Sequence, residues 1–372
     1  MNGKDKLKII LTGGHLSPML SVIKKLEKNA DVVIIGRKFT FEADKAESLE
    51  YKTINKLGIP FYNLPPARLQ RKLTTHTLPS LLRFPKSLHK AQIILKHEKP
   101  DAILTFGGYI GLPVSLAASL LHIPVILHEQ TQGAGLSNRI IGRLAYKICI
   151  SYETSRKYFD PNKTVLTGNP MRPEIFKVDK KYNLTLDKPL LCIMGGSSGS
   201  HRINMYIKEI LPQLLTDFCV IHQTGDSHEY KDFDLLSEYK KSLDIKLQNR
   251  YVITKFIDNE HIGWVYKNSS MFVSRSGANT VQELLVLHKK ALLIPLSYSQ
   301  GGEQLDNAKL YADSKLGSYI EEKDIDLQTL YTSILSIYKT KINSRTSSFH
   351  DDAADKIIKE VLSSAQYEKK II

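Results

Sequence analysis

Leu7-Lys8-Ile9-Ile10-Leu11-Thr12-Gly13-Gly14-His15 and, in the second half, Leu190-Leu191-Cys192-Ile193-Met194-Gly195-Gly196-Ser197-Ser198-Gly199-Ser200-His201 share one layout, in which a short apolar strand runs into a Gly-Gly turn that opens a helix. Glycine lets the backbone approach a ligand closely, and the first turn of the helix offers unpaired N–H groups and the positive end of its dipole. Such a turn suits an anionic, phosphate-bearing ligand. One copy in each half predicts two nucleotide-binding α/β domains facing each other across a cleft. His15 puts an ionisable side chain at the first turn, which points to an enzyme.

The surrounding pattern agrees. Apolar runs at 7–11, 32–35, 102–106, 125–127 and 147–150 alternate with amphipathic stretches, and a second series follows at 190–194, 219–222, 251–254, 271–273 and 291–294. Strands rich in Val, Ile and Leu alternating with helices indicate parallel sheets covered on both faces. Ser17-Pro18 predicts an N-cap and a first helical residue directly after His15, which places His15 at the carboxyl edge of a strand, where open α/β sheets bind ligands. Gly168-Asn169-Pro170-Met171-Arg172-Pro173 and the polar stretch to Lys188 read as the linker between halves. A polar break at 343–348 precedes a late amphipathic helix near 351–362.

Composition narrows the class. A chain of 372 residues with 42% hydrophobic content can form two domain-sized cores. Cys149, Cys192 and Cys219 stand singly in apolar runs without metal-ligand spacing and read as reduced core residues. The apolar run before Thr12 is too short for a signal peptide, and no stretch approaches a membrane span, so a soluble, cytoplasmic chain is expected. The net charge is +14, and between Lys52 and Lys99 stand ten Lys or Arg against a single acid, Glu98. Within segment 68–90, Arg68, Arg71, Lys72, Arg83, Lys86 and Lys90 interleave with Leu69, Leu73, Leu78, Leu81, Leu82, Phe84 and Leu88. That mixture fits docking on an anionic membrane surface; the competing reading is a basic helix whose leucines face the core. Nucleic acid is not expected, because Phe84 is the single aromatic residue between Arg68 and Lys99 and stacking platforms are missing.

At this point the residues resemble a known family. Thr12-Gly13-Gly14-His15-Leu16-Ser17-Pro18, the run 106–130 ending in His128-Glu129-Gln130, Ala134-Gly135-Leu136-Ser137-Asn138-Arg139, Gly168-Asn169-Pro170-Met171-Arg172, the second glycine turn, Phe256-Ile257-Asp258-Asn259, the run 274–285 and Glu303-Gln304-Leu305-Asp306-Asn307-Ala308 follow, in order, the motifs of the MurG family. The resemblance spans roughly residues 8–312. It implies a GT-B glycosyltransferase with two Rossmann-like, doubly wound parallel-sheet domains: an acceptor and membrane-side domain over 1–170, a UDP-sugar domain over 171–342, and a helix over 343–372 packing back on the first. It also implies an inverting transfer of N-acetylglucosamine from UDP-N-acetylglucosamine to undecaprenyl-pyrophosphate-linked N-acetylmuramoyl pentapeptide in peptidoglycan synthesis. No metal ion or other cofactor is implied, and the place of work is the cytoplasmic face of the cell membrane.

On that resemblance His15 is the catalytic base, with an ordinary imidazole pKa near operating pH; a plain turn-orienting role is the alternative. Donor-side residues are Thr12, Gly13, Gly14, Thr131, Arg172, Ser197, Ile257, Ala278, Asn279, Thr280, Val281, Gln282, Glu283, Glu303 and Gln304, with Arg172 and the second turn offsetting diphosphate charge and Glu283 on the ribose. Thr280 and Glu283 also have the spacing of a capping box, which needs no ligand. Gly107, Gly108, Tyr109, Glu129, Gln130 and Asn138 fall on the acceptor side, with plain turn formation open for Gly107 and Gly108.

Three departures stand out. Ile9-Ile10-Leu11 replaces extra glycines before the first turn, Thr131 replaces an Asn, and Glu303 replaces the first of two glutamines. They leave room for a different UDP-sugar or glycolipid acceptor, for a nucleotide-sugar epimerase, or for a nonenzymatic membrane-binding module. Asp232-Phe233-Asp234 and Asp324-Ile325-Asp326 have the letters of a metal-binding D-x-D but lie in charged, helix-like surroundings. The G-x-G-x-x-G fingerprint of a dinucleotide enzyme is missing.

Overall fold

The computed structural model describes residues 6–39, 47–65, 77–196, 199–227, 229–299, 302–341 and 352–368. The chain divides into two compact units, one of residues 1–172 with 350–372 and one of residues 173–349.

Unit 1 is built on strands β1 (Leu7–Thr12), β2 (Ala30–Gly36), β3 (Phe61–Asn63), β4 (Ala102–Thr105), β5 (Val125–Glu129), β6 (Lys147–Ile150) and β7 (Thr164–Leu166). They pair in parallel in the order β3-β2-β1-β4-β5-β6-β7. Helices α1 (Leu16–Leu26), α2 (Leu49–Lys56), α3 (Thr77–Glu98), α4 (Gly108–Leu120) and α5 (Leu136–Leu144) connect them. Unit 2 has strands β8 (Leu190–Met194), β9 (Cys219–Gln223), β10 (Tyr251–Thr254), β11 (Ser269–Ser274), β12 (Ala291–Leu293) and β13 (Gly317–Tyr319), in the all-parallel order β10-β9-β8-β11-β12-β13. Its helices are α6 (His201–Asp217), α7 (Asp232–Lys241), α8 (Ile245–Gln248), α9 (Asn259–Asn268), α10 (Ala278–Val286), α11 (Glu303–Asp313) and α12 (Leu327–Lys339). In each sheet the strand order reverses beside the strand that carries the glycine turn, between β1 and β4 and between β8 and β11. A reversal of this kind opens a crevice at the carboxyl ends of the strands.

The last helix, α13 (Ala353–Glu368), packs on unit 1 although unit 2 intervenes in sequence. Ala354, Ile357, Ile358, Val361 and Ala365 lie on one face at helical spacing and join the core of Ile9, Leu11, Met19, Ile23 and Leu104. Burying Ile357, Ile358 and Val361 stabilises this docking by about 1.5–3 kcal/mol each. Lys25 Nζ meets Asp355 at 2.7 Å at its edge.

Several expectations are corrected. The N-cap of α1 is His15, in extended conformation and without a side-chain cap bond, so Pro18 sits third in the helix and not first. Proline is tolerated there because the N–H it lacks has no acceptor within the helix; the first helical bond runs from Met19 to the His15 carbonyl. Phe84 and Leu88 are partly buried and pack against the core beneath α3 with Ala91, Ile94 and Leu95. Residues 66–76, with Arg68, Leu69, Arg71, Lys72 and Leu73, lie outside the described residues, as do the side chains of Leu78, Leu81, Leu82 and Arg83. All three cysteines are free and buried. Among the described residues no helix is long and apolar enough to cross a membrane.

Candidate functional site

In unit 1 the first glycine turn and the β4–α4 turn lie side by side. Thr12 Oγ1 and Thr105 Oγ1 share a buried hydrogen bond of 2.8 Å, which fixes the ends of β1 and β4, and Gly107 N–H donates to Thr105 Oγ1 at 3.1 Å. A Cβ on Gly14, whose φ is +151°, would lie 3.2 Å from the Gly107 carbonyl oxygen. Gly107 and Gly108 are left-handed, at φ of 80° and 74°. Asn138 packs where a Gly107 side chain would stand, accepts from Gly108 N–H at 3.0 Å and donates to Glu129 Oε2 at 2.7 Å. Glu129 in turn accepts from the Thr131 amide at 2.9 Å and hydroxyl at 2.7 Å. Glu129, Thr131 and Asn138 therefore form a brace that holds the Gly107-Gly108 turn open. Gln130 is buried beside them, and its Oε1 has no hydrogen-bond partner among the described residues. Tyr109 lies on the first turn of α4 with the Arg37 guanidinium 5.9 Å from its ring centre.

His15 ends the first turn. Burial pushes its pKa down to about 4, so the ring is neutral at neutral pH, not poised near operating pH as the bare residue suggests. His128 shares this environment: burial lowers it to about 4, and proximity to His15 reinforces that against the hydrogen bond to the Gly168 carbonyl. Its Nε2 lies 3.2 Å from both that carbonyl and Ser151 Oγ, while Nδ1 has no hydrogen-bond partner among the described residues. Arg172, half-buried, closes unit 1.

Sequence reasoning missed Glu50. It stands in the first turn of α2, which Ser48 caps by accepting from Tyr51 N–H. Its carboxyl packs against the backbone of Gly13 and Gly36, where a Cβ would overlap Glu50 Oε1. Burial raises its pKa to about 7 against the opposing pull of Arg37, and Oε1 is buried without a hydrogen-bond partner among the described residues. Only the fold brings a residue of α2 under the first turn.

In unit 2 Ser197 and Ser198 lie outside the described residues. Gly196 and Gly199 are left-handed, and a Cβ on Gly199 would collide with the Thr224 carbonyl, so β9 presses directly on the turn. Gln223 donates to the Gly196 carbonyl at 3.1 Å and accepts from Ile257 N–H at 2.9 Å, joining the turn to the buried Ile257. The N-cap of α10 is Gly277, which rules out the capping box: Thr280 is already inside the helix, and Glu283 accepts from Tyr266 OH at 2.6 Å. Of Ala278, Asn279, Thr280, Val281, Gln282 and Glu283, Asn279 and Thr280 alone keep partial exposure. Glu303 opens α11, its pKa raised by burial. Gln304 Oε1 accepts from Leu296 N–H at 3.0 Å, and its carbonyl accepts from Ser276 Oγ at 2.7 Å.

Arg275, also missed, holds these turns together. Its guanidinium donates to Ser200 Oγ at 2.7 Å, Glu322 Oε1 at 2.9 Å and the Ile294 carbonyl at 3.2 Å, and its amide donates to the Met194 carbonyl at 3.3 Å. One buried residue thus ties the end of β8, the residue after β12, the start of α6 and Glu322 together at the mouth of the switch. Neither D-x-D reading holds: Asp232 is bonded to His201 and Asn204, and Asp326 caps α12. Among the described residues no group of three or more His, Cys, Asp or Glu could hold a metal.

Two all-parallel α/β units, each with a glycine turn at its switch, define the GT-B class. The model of the glycosyltransferase family 28 N-terminal domain matches residues 9–150 and that of the C-terminal domain residues 190–361. The UDP-N-acetylglucosamine--N-acetylmuramyl-(pentapeptide) pyrophosphoryl-undecaprenol N-acetylglucosamine transferase of Lachnospira eligens is 34% identical, over 94% of this chain and 97% of that protein. The crystal structure of Acinetobacter baumannii MurG superposes with a TM-score of 0.65 at 22% identity, covering 96% of this chain and 99% of that one. UDP-GlcNAc 2-epimerase from Methanocaldococcus jannaschii, in complex with UDP-GlcNAc and UDP, shares the fold at a TM-score of 0.59 and 17% identity, covering 96% and 99%. The chain belongs to glycosyltransferase family 28 and, within it, to the MurG family.

Proposed function

We propose that the chain transfers N-acetylglucosamine from UDP-N-acetylglucosamine to a lipid-linked N-acetylmuramoyl pentapeptide, with inversion, as a step of peptidoglycan synthesis. The full-length likeness to transferases of that name carries the reading. Unit 2 holds the donor, with Ile257 beside the uracil, Asn279 and Thr280 at the partly exposed start of α10, and Glu303 and Gln304 toward the sugar. Unit 1 holds the acceptor pyrophosphate beside the Gly107-Gly108 turn, with Thr12, Gly13, Gly14 and Thr131 on the donor side.

His15 accepts the proton of the acceptor hydroxyl while that oxygen attacks the anomeric carbon. The bond to the UDP oxygen breaks and UDP leaves with the electron pair. A ring at about 4 is fully in its base form at neutral pH, and an arriving pyrophosphate raises its basicity when it is needed. Helix-terminal amides and Arg172 offset the diphosphate charge, so no metal is required.

The enzyme works at the cytoplasmic face of the cell membrane, docked through the basic and apolar segment 68–90, whose charge and leucines suit an anionic surface. The test offers purified protein a panel of UDP-sugars with lipid-linked acceptors, with and without chelator. Transfer of N-acetylglucosamine that survives chelation is expected. Epimerised donor, transfer to diacylglycerol, or binding to anionic vesicles with no turnover of any UDP-sugar would each replace the reading.

A further inference from the structure

Where the second glycine turn becomes α6, the first helical residue is His201. Its imidazole Nδ1 donates to Asp232 Oδ1 at 2.7 Å, and its ring stacks on Tyr230 with centroids 4.1 Å apart and planes at 14°. The carboxylate that aims it is 3% exposed. Asp232 Oδ2 accepts from Asn204 Nδ2 at 2.7 Å, Asn204 Oδ1 accepts from His222 Nε2 at 3.0 Å, and His222 Nδ1 accepts from Tyr251 OH at 2.9 Å. Burial lowers the His222 pKa to about 3, so that ring is neutral and carries its single proton on Nε2. Every link in this chain of hydrogen bonds has one donor and one acceptor, and all of them run toward Asp232. The carboxylate is held as a two-oxygen acceptor, and the network that holds it is packed beneath β9.

The consequence falls on the one ring atom that remains. Nε2 of His201 makes no hydrogen bond among the described residues, and the side chain keeps 36% of its exposure. In its protonated form the ring donates from Nε2. The Asp232 bond and the Tyr230 stack remove most of its rotational freedom in advance, which is the entropy a flexible side chain would lose on binding. Beside it run the left-handed Gly196 and Gly199 and the positive end of a 17-residue helix.

We propose that His201 is a diphosphate-binding residue of the nucleotide-sugar site, aimed by Asp232 and Tyr230, so that this chain adds a side-chain donor to the backbone amides of its second turn. The inference rests on the functional reading above. It is tested by calorimetric titration of UDP and of uridine into the wild-type protein and into His201→Asn, Asp232→Asn and Tyr230→Ala.

His201→Asn is expected to weaken UDP binding about tenfold while leaving uridine binding unchanged. Asp232→Asn and Tyr230→Ala should shift UDP in the same direction by less. Because His201 is half-exposed, its Asn variant should melt like the wild type and keeps the test valid even if Asp232→Asn folds poorly. Equal UDP affinity in His201→Asn, or equal losses for UDP and uridine, overturns this inference alone. A wild-type protein that does not bind UDP overturns the functional reading and the inference with it.

Discussion

The two glycine turns begin from the same sequence logic and end in opposite electrostatics. At the first, the ring of His15 has no anchoring carboxylate among the described residues; burial keeps it neutral, and Glu50 beneath the turn is held toward its protonated form. At the second, His201 is pinned to the buried Asp232, and Arg275 pairs with Glu322 behind the turn. A pocket of neutral, proton-exchanging groups suits the removal of a proton, whereas a braced pocket of fixed charges suits the holding of an anion. The two turns thus differ in which charges each tolerates.

The largest effect should come from removing the brace. Arg275 is 8% exposed and Glu322 is 2% exposed, so Arg275→Ala leaves a buried carboxylate with only the partly exposed Arg202, 3.4 Å from its other oxygen. Stranding a buried charge in this way costs about 3 kcal/mol or more. Denaturant unfolding should show that loss. A variant of wild-type stability would mean that water or Arg202 satisfies Glu322 fully, and the contrast between a braced and an unbraced turn would fail.

At the first turn the expected effect is on turnover. His15→Ala should lower kcat at least ~100-fold and leave UDP affinity and melting temperature near wild type, since the ring makes no hydrogen bond among the described residues to lose. Near-normal turnover would reduce His15 to an N-cap. A parallel loss of UDP affinity would show that the two turns do not divide the chemistry.

Much of this architecture could be read from the chain. Ten strands announce themselves as apolar runs, and nine of these are interior strands buried on both faces, which need little else. The three that escaped, Phe61–Asn63, Thr164–Leu166 and Gly317–Tyr319, are edge strands three residues long with no fully buried run. Edge strands this short leave little local pattern, whereas the fourth edge strand, β10, shows itself through Tyr251-Val252-Ile253. The turns were legible because glycine has a local reason to be there. Glu50 and Arg275 were not, because their roles come from distant backbone: Glu50 from Gly13 and Gly36, Arg275 from Ser200, Ile294 and Glu322. Thr280 and Glu283 misled by spacing alone, since Gly277 had already started the helix. Phe84 and Leu88, at the end of the basic segment, lie partly against the core of their own unit.

Glu50 offers the finest test of the comparison. Its folded pKa of about 7 lies above the ordinary 4.5, so between those values the folded state binds the extra proton. The contribution to stability is fully present below pH 4.5, falls as pH rises, and is lost once pH passes about 7. Water at a carboxyl that keeps some exposure and the pull of Arg37 limit the change to about 1–2 kcal/mol. Glu50→Gln keeps the shape without the titration. Its unfolding free energy should therefore stay flat where the wild type declines, and above pH 7 the variant should be the more stable protein. Ionised Glu50 also puts a negative charge directly under Gly13, so the KM for the UDP-sugar should rise with pH through the same range in the wild type and not in the variant. Parallel stability profiles would show that the carboxyl is ionised throughout, and that the first turn bears a fixed charge after all.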